Sequence, residues 1–316
     1  MEPEPAELGP EWLDLGRSDA YGRSFADVYD RWYDGVTDAA ATADFVIARH
    51  AGGPVLELGV GTGRLAGPLA ARGRVVVGVD ASATMLARCP RGRRLPPARA
   101  SRTDGDGGSA DRSGSDDDGR SAGDGRSDDR SRSDDRSGSD GGGRSAGDDG
   151  AVLPIRADMR SLPLPRRGRH HPGFGSILLA FNTLFNLTER ADQARLLVDL
   201  ATQLAPAAPL VVEMLDVSSL LDGPDRSIGL RRSTTDPVVV TATALDRPRQ
   251  LLGGRHVEIT DGGIAVRPWL LRWATPTELD GMAAAAGLVL GERYGSWTGA
   301  PAADDAGTVI SVYRLA

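Results

Sequence analysis

Apolar positions in this chain follow two periods, and the order in which they alternate sets the architecture. Short blocks at Val55 to Leu58, Arg74 to Asp80 and Ala151 to Arg156 read as strands. Ile177-Leu178-Leu179-Ala180 is apolar throughout, as a strand covered on both faces should be. Helical spacing fills the gaps at Gly63 to Arg72, Ser82 to Ala87 and 189 to 204, where Leu196, Leu197, Leu200 and Leu204 share one side. Pro209 to Leu215, Val289 to Tyr294 and Thr308 to Leu315 complete a set of seven strands. Strands alternating with helices predict an α/β fold, a doubly wound and mostly parallel sheet.

Two regions depart from that alternation. From Ser18 to about His50, the residues Tyr21, Phe25, Val28, Tyr29, Trp32 and Tyr33 recur at spacings of three and four, a helical stripe, and a second helix is predicted over Ala39 to Arg49. After the fifth strand, Val238 to Ala244, Gly254 to Thr260 and Ile264 to Trp273 are β-rich, and Thr260-Asp261-Gly262-Gly263-Ile264 is a tight hairpin signal. An antiparallel flap over about 216 to 273 is therefore predicted. Thr275-Pro276-Thr277-Glu278 opens the last helix with capping-box spacing and proline at its first position, so Glu278 reads as an N-terminal cap.

Composition removes a third region from the core. Residues 101–150 contain only Ser, Arg, Thr, Asp, Gly and Ala, with nothing apolar enough to offset the entropy of ordering. A disordered insert over 99–150 is expected, placed in one connection between helix and strand where extra length costs little. The predicted organisation is a flexible tail over 1–17 and a single domain formed by 18–98 and 151–316. The 101–150 segment carries 14 Asp and 8 Arg, so it holds nearly all of the chain's formal charge of −7. The remaining body is close to neutral and lacks the basic footprint of a general nucleic-acid binder. Cys89 is the only cysteine, which excludes an intrachain disulfide and a cysteine cluster for zinc; no metal site is expected. No apolar run is long enough to span a membrane, and Met1-Glu2-Pro3-Glu4-Pro5 lacks the charge and apolar core of a signal peptide, so a cytoplasmic protein is expected.

The candidate chemistry begins at the first strand. It runs into Gly59-Val60-Gly61-Thr62-Gly63-Arg64, glycine at every second position, and the second strand ends on Asp80. Glycines at 59, 61 and 63 remove side chains that would stop a ligand lying against the backbone, and the following helix offers unpaired amides. Asp80 ends its strand where a carboxylate can accept both hydroxyls of a ribose. The dinucleotide fingerprint wants its third glycine three positions after the second, and that position is Arg64. Glu57, two residues before the first glycine, would repel a pyrophosphate and attract an ammonium or sulfonium.

These residues resemble class I S-adenosylmethionine-dependent methyltransferases of the small-molecule type. Glu57 to Gly63 is similar to their first motif, and Asp80-Ala81-Ser82-Ala83-Thr84-Met85-Leu86 to their second strand end and helix. Ala157-Asp158-Met159-Arg160-Ser161-Leu162-Pro163 resembles the loop on the adenine side, and Phe181-Asn182-Thr183-Leu184 the end of the fourth strand. The resemblance implies a Rossmann-like sheet whose last strand runs antiparallel. It implies S-adenosylmethionine bound by Gly59, Gly61, Gly63, Glu57, Arg64 and Asp80, with Ala81 and Met85 on adenine, Asp158 and Met159 at its edge and Phe181 nearby. It also implies N-terminal helices lying as a lid, with Tyr21, Tyr29 and Tyr33 toward cofactor or substrate, and Asn182 near the transferring methyl. The alternative for each lid residue is plain core packing.

Absences narrow the acceptor. The Asn/Asp-Pro-Pro-aromatic motif of base-methylating enzymes is missing, since Asn182 is followed by Thr183-Leu184, and so is the paired-glutamate loop of arginine methyltransferases. A small molecule, methylated at nitrogen or oxygen, is the expected acceptor, and an oligomer is left open. His256 on a flap strand reads either as a base or as a cross-strand residue, and His170-His171 as a solvated pair. The competing readings are a non-catalytic S-adenosylmethionine-binding regulatory module and a nicotinamide-dependent oxidoreductase, the latter disfavoured by the glycine spacing.

Overall fold

The computed structural model describes residues 8–9, 12, 14–16, 19–33, 35–36, 38–93, 150–164, 168, 172–233, 237–303 and 307–316. The insert expected to be disordered lies outside the described residues except for Gly150, and so do His170 and His171.

The order of elements is α1 (Ala20–Phe25), α2 (Tyr29–Tyr33), α3 (Ala39–Arg49), β1 (Val55–Leu58), α4 (Ala66–Ala71), β2 (Val75–Asp80), α5 (Ala83–Leu86), β3 (Gly92–Arg93), β4 (Ala151–Arg156), β5 (Ser176–Leu179), α6 (Arg190–Gln203), β6 (Leu210–Leu215), α7 (Ser218–Leu221), β7 (Arg226–Ser233), β8 (Val238–Asp246), β9 (Leu251–Thr260), β10 (Gly263–Arg272), α8 (Pro276–Ala285), β11 (Leu288–Tyr294) and β12 (Thr308–Leu315). The main sheet has the order β11-β12-β6-β5-β1-β2-β4-β3. It contains the seven predicted strands, and the two-residue β3 is added at one edge, antiparallel to β4. β1 pairs in parallel with β2 and β5, and β12 runs antiparallel to β6 and β11. Two crossovers therefore diverge at β1, and the cleft at their carboxyl ends is where such sheets bind ligands.

Burial follows the pattern in the sequence. All four residues of β1 and of β5 are buried, with helices covering both faces. Leu196, Leu197 and Leu200 on α6, with Leu204 just past its end, are no more than 1% exposed and pack with Leu56, Leu58, Ile177 and Leu179. Local chemistry fixes the helix starts. Asp38 caps α3 by accepting from the Ala40 and Ala41 amides at 2.9 and 3.0 Å, and Ser82 caps α5 through the Met85 amide at 3.2 Å.

Four details differ from the sequence expectations. The N-terminal stripe is two short helices, broken by a turn over Ala26 to Val28 that lets Phe25, Val28 and Trp32 all bury in one cluster. The flap is a four-stranded antiparallel sheet, β10-β9-β8-β7, because Arg226–Ser233 pairs as a further strand although its sequence reads as polar. Within the expected tail, Leu8 and Trp12 are buried against Leu251 and Leu270, and a side chain at Gly253 would strike the Trp12 ring. Finally, only half of the capping box forms. Thr275 Oγ1 accepts from the Glu278 amide at 3.1 Å, but the Glu278 carboxylate turns away to Arg272 at 2.8 Å and Gln250 at 2.8 Å. Arg272 is buried and also donates to Gln193, so an unpaired guanidinium there would cost more than an unfilled cap.

Candidate active site

The glycine turn leaves β1 with left-handed backbone at Gly59, Gly61 and Gly63, φ +65°, +56° and +83°. Their reasons for lacking a side chain differ. A Cβ on Gly59 would fall 2.6 Å from Thr183 Oγ1, and one on Gly63 would fall 2.6 Å from Pro90 Cδ and 2.9 Å from Cys89 Sγ. A Cβ on Gly61 would meet only the Gly59 carbonyl at 3.9 Å, so that position opens onto free space. Gly59 and Gly61 line the cavity described below; Gly63 does not. Gly63, expected to clear a path for a ligand, has its side-chain space taken up by the chain itself. It permits close packing of the turn against Cys89 and Pro90.

Asp80 ties the turn to β2. Its carboxylate accepts from the Gly61 amide at 2.9 Å and the Ser82 amide at 2.8 Å, one bond on each oxygen. Each oxygen keeps a further acceptor position beside the cavity. Burial raises the Asp80 pKa, opposed by these two amide bonds.

Glu57 is the most unusual group present. It is 3% exposed, and its Oε2 has no hydrogen-bond partner. Burial pushes its pKa up to about 8; the Arg64 guanidinium opposes that and the Asp80 carboxylate adds to it. A buried carboxylate without full pairing is costly unless a ligand completes it. Beside it, Arg64 lies over the Phe181 ring, 5.4 Å from the centroid, and hydrogen-bonds the Tyr29 hydroxyl. An acid and a guanidinium side by side on an open cavity match the ammonium and carboxylate of an amino-acid moiety such as that of S-adenosylmethionine.

At the end of β5, Phe181 and Asn182 both have positive φ, 54° and 61°, unusual for residues other than glycine. Contacts from β6 hold this strained turn. Glu213 accepts from the Phe181 amide and, at 3.0 Å, from the Trp297 indole, while the Leu215 amide donates to Asn182 Oδ1. The sequence reading overlooked Glu213, although an acid inside the apolar run Leu210–Leu215 was the available signal.

The opposite wall comes from lid and flap. Tyr29 packs on Tyr33 at 4.8 Å and edge-on against Tyr21 at 6.5 Å, and the Tyr21 and Tyr33 hydroxyls are 3.3 Å apart. Burial raises the Tyr29 pKa to about 12. His256 is 5% exposed and is enclosed by Phe25, Trp32 and Trp269, each 5.7 Å away between ring centroids. Its Nδ1 lies 2.7 Å from Oγ1 of Thr241, its cross-strand neighbour. Burial, aided by Arg231, lowers the His256 pKa to about 4. His256 is therefore a cross-strand residue and a cavity residue at once. Arg231, not anticipated, lies over the Tyr33 ring at 4.9 Å.

These walls enclose a cavity of about 370 Å³. Tyr21, Tyr29, Tyr33, Glu57, Gly59, Gly61, Arg64 and Asp80 line it, as do Ala81, Met85, Asp158, Met159, Phe181, Asn182 and His256. Of the expected site residues only Gly63 stands outside. Asp158 is held by Arg160 at 2.7 Å. Among the described residues no cluster of three or more His, Cys, Asp or Glu could hold a metal ion, and no helix is long and apolar enough to cross a membrane.

Comparisons with known proteins bear on the fold. Residues 55–111 match the model of a methyltransferase domain. The chain is similar to the CcbJ methyltransferase of Streptomyces caelestis, 28% identical, covering 95% of this chain and 99% of that one, with a TM-score of 0.71. It shares its fold with an S-adenosylmethionine-dependent methyltransferase from Clostridium acetobutylicum ATCC 824 (12% identity, 93% and 98% coverage, TM-score 0.63). The same holds for the sugar N-methyltransferase KedS8 from Streptoalloteichus sp ATCC 53650 (17%, 98% and 100%, TM-score 0.55). No curated protein sequence matches the chain. The chain has the fold of class I S-adenosylmethionine-dependent methyltransferases.

Proposed function

We propose that this chain methylates a nitrogen or oxygen of a small molecule held between the lid tyrosines and the flap. The observation that carries the reading is that Glu57 and Asp80 share one cavity with Tyr29, His256 and Trp269, roofed by two elements of the same chain. A macromolecular acceptor would have to displace that roof.

When bound, S-adenosylmethionine supplies an electrophilic methyl group on a sulfonium. Glu57 and Arg64 receive its ammonium and carboxylate, Asp80 takes the ribose hydroxyls, and Ala81 and Met85 flank the adenine, whose edge meets Asp158 and Met159. Tyr21, Tyr29, Tyr33 and Phe181 exclude water and hold the acceptor in line, which is the main source of rate in such a displacement. Asn182 borders the reacting atoms on a turn fixed by Glu213. With Nδ1 donating to Thr241, Nε2 of His256 is an acceptor for the proton that the nucleophile releases.

Calorimetry with S-adenosylmethionine and S-adenosylhomocysteine, followed by mass spectrometry of acceptor pools for a methyl mass gain, tests this. Binding together with a methylated small molecule is expected. Failure of both ligands to bind folded protein would overturn the donor site; tight binding without product from any amine or hydroxyl pool would favour the regulatory-module reading.

A further inference from the structure

The charges that line the cavity are unevenly shared between its two walls. Glu57, Asp80, Asp158 and Asp192 all lie on the sheet side, on or just after β1, β2 and β4 and in the first turn of α6. The arginines of that side are already engaged, Arg160 with Asp158 at 2.7 Å and Arg64 beside Glu57 and Tyr29. The lid and flap wall carries Tyr21, Tyr29, Tyr33, Thr241, His256 and Trp269. Among the described residues this wall gives the cavity no carboxylate and one permanent cation, Arg231.

The backbone aims Arg231 there. Leu230 pairs with Val240 and Arg232 with Val239, so Arg231 is the extra residue of a β-bulge in β7. A bulge sets two residues opposite one and re-aims a side chain. The residue opposite is Val239, 1% exposed and clustered with Phe25, Trp32 and Tyr33 of the lid. Arg232 donates to the Arg31 carbonyl of α2 at 3.4 Å. Arg231 instead lies over the Tyr33 and Trp32 rings, 4.9 and 5.9 Å from their centroids. Stacking holds a guanidinium by its face and leaves the N–H fork at its edge for a planar, two-oxygen acceptor. Arg231 is exposed, and among the described residues no carboxylate pairs with it. Arg31 and Arg267, where lid and flap meet, are by contrast paired with Glu258 and Asp27 at 2.6 and 2.7 Å.

We infer, resting on the methyl transfer proposed above, that the acceptor carries a carboxylate, which Arg231 receives at the rim of the cavity while the nucleophilic nitrogen or oxygen reaches inward past Tyr29 and His256. One guanidinium fork matches the two oxygens of a carboxylate. An acceptor whose only charge is positive would be repelled by Arg231 and would meet no acid on this wall. Holding the acid at one end fixes the direction in which the other end approaches the methyl group. It would also cancel the field with which Arg231 helps to lower the His256 pKa, so the arrival of the acceptor would make that imidazole a stronger base.

The full chain, radiolabelled S-adenosylmethionine and two matched pools test this: amino and hydroxy acids, and the carboxamides of the same compounds. Methyl transfer to acids is expected, with kcat/KM for the amides lower by about 30-fold, the scale of a charge-assisted pair at an open rim. Arg231→Gln should raise KM for the acids by about 30-fold with little change in kcat, while KM for the amides moves by less than about twofold. Arg231→Lys should recover part of the discrimination, because it keeps the charge and loses the fork. Calorimetry with S-adenosylhomocysteine separates this subsite from the reading beneath it. If the folded chain does not bind that ligand, the proposed function falls and the subsite with it. If the ligand binds, the subsite alone is overturned by amides methylated as readily as acids, by label in neither pool, or by an acid preference that survives in Arg231→Gln.

Discussion

The two walls of the cavity solve opposite problems with buried titratable groups. On the sheet side, burial raises the pKa of Glu57 to about 8; on the flap side, it lowers that of His256 to about 4. Both groups are driven toward their neutral forms by the same cause, desolvation. What differs is the neighbourhood. Glu57 leaves an oxygen without a partner, so a cation from outside would complete it. His256 already has Thr241 and three aromatic neighbours, so it is settled before any ligand arrives. The sheet wall is built to bind, and the flap wall is built to hold a neutral imidazole in place.

The sharpest way to break this comparison is to remove the ability of Glu57 to ionise. Glu57→Gln should weaken S-adenosylmethionine binding by about 100-fold or more, since losing one partner of a buried ion pair costs about 3 to 5 kcal/mol. In the wild type, binding must also strip the Glu57 proton. Affinity should therefore fall about tenfold per unit as pH drops below about 8, the raised pKa, and the dependence should vanish in the variant. The free protein has the complementary sign: with the folded pKa raised from 4.5 to about 8, Glu57 favours folding below pH 4.5, and that contribution is lost as pH rises through 8. Calorimetry between pH 6 and 8 checks the first statement. A flat wild-type affinity would mean that Glu57 faces no cation.

The glycines sharpen the same contrast between binding and holding. Gly63→Ala combines left-handed backbone with contacts to Pro90 and Cys89 and should cost about 3 kcal/mol of stability, lowering Tm by roughly 6 to 12 °C. Gly61→Ala meets open space and should cost only about 1 to 2 kcal/mol, yet it should weaken cofactor binding far more than Gly63→Ala does. Thermal melts with and without S-adenosylmethionine separate the two. Equal effects on binding would return Gly63 to the ligand surface.

What could be read in the sequence follows the same division. The turn at Gly59 and Gly61, Asp80, and the Asp158-Met159 loop are local signals, because a few consecutive residues both shape the backbone and line the cavity. The seven strands of the main sheet followed from apolar blocks for the same reason. The flap wall is not local: Thr241 and His256 meet only through the register of β8 and β9, and Arg231 reaches Tyr33 from a strand whose sequence, Arg226–Ser233, reads as polar. Glu278 misled in a related way. Its spacing from Thr275 fits a capping box, but the buried guanidinium of Arg272, adjacent only in the fold, claims its carboxylate. Local spacing sets which bonds are available, and burial decides which are made.

The smallest predicted effect bears on the flap wall itself. His256→Phe keeps a planar ring among Phe25, Trp32 and Trp269, so S-adenosylmethionine affinity should change by less than about twofold, while methyl transfer should slow by about tenfold, less than the ~100-fold or more usual for a proton acceptor because an imidazole with its pKa lowered to about 4 is a weak base. Stability separates this chemical role from packing. With the folded pKa lowered from 6.5 to about 4, wild-type His256 contributes stability above pH 6.5 that is lost as pH falls through 4, and the Phe variant has no such group to titrate. Melts between pH 6.5 and 4 should therefore show the wild type losing more stability than the variant. If transfer slows while both proteins melt in parallel across that range, the imidazole is not held neutral by burial, and the distinction drawn between the two walls fails at His256.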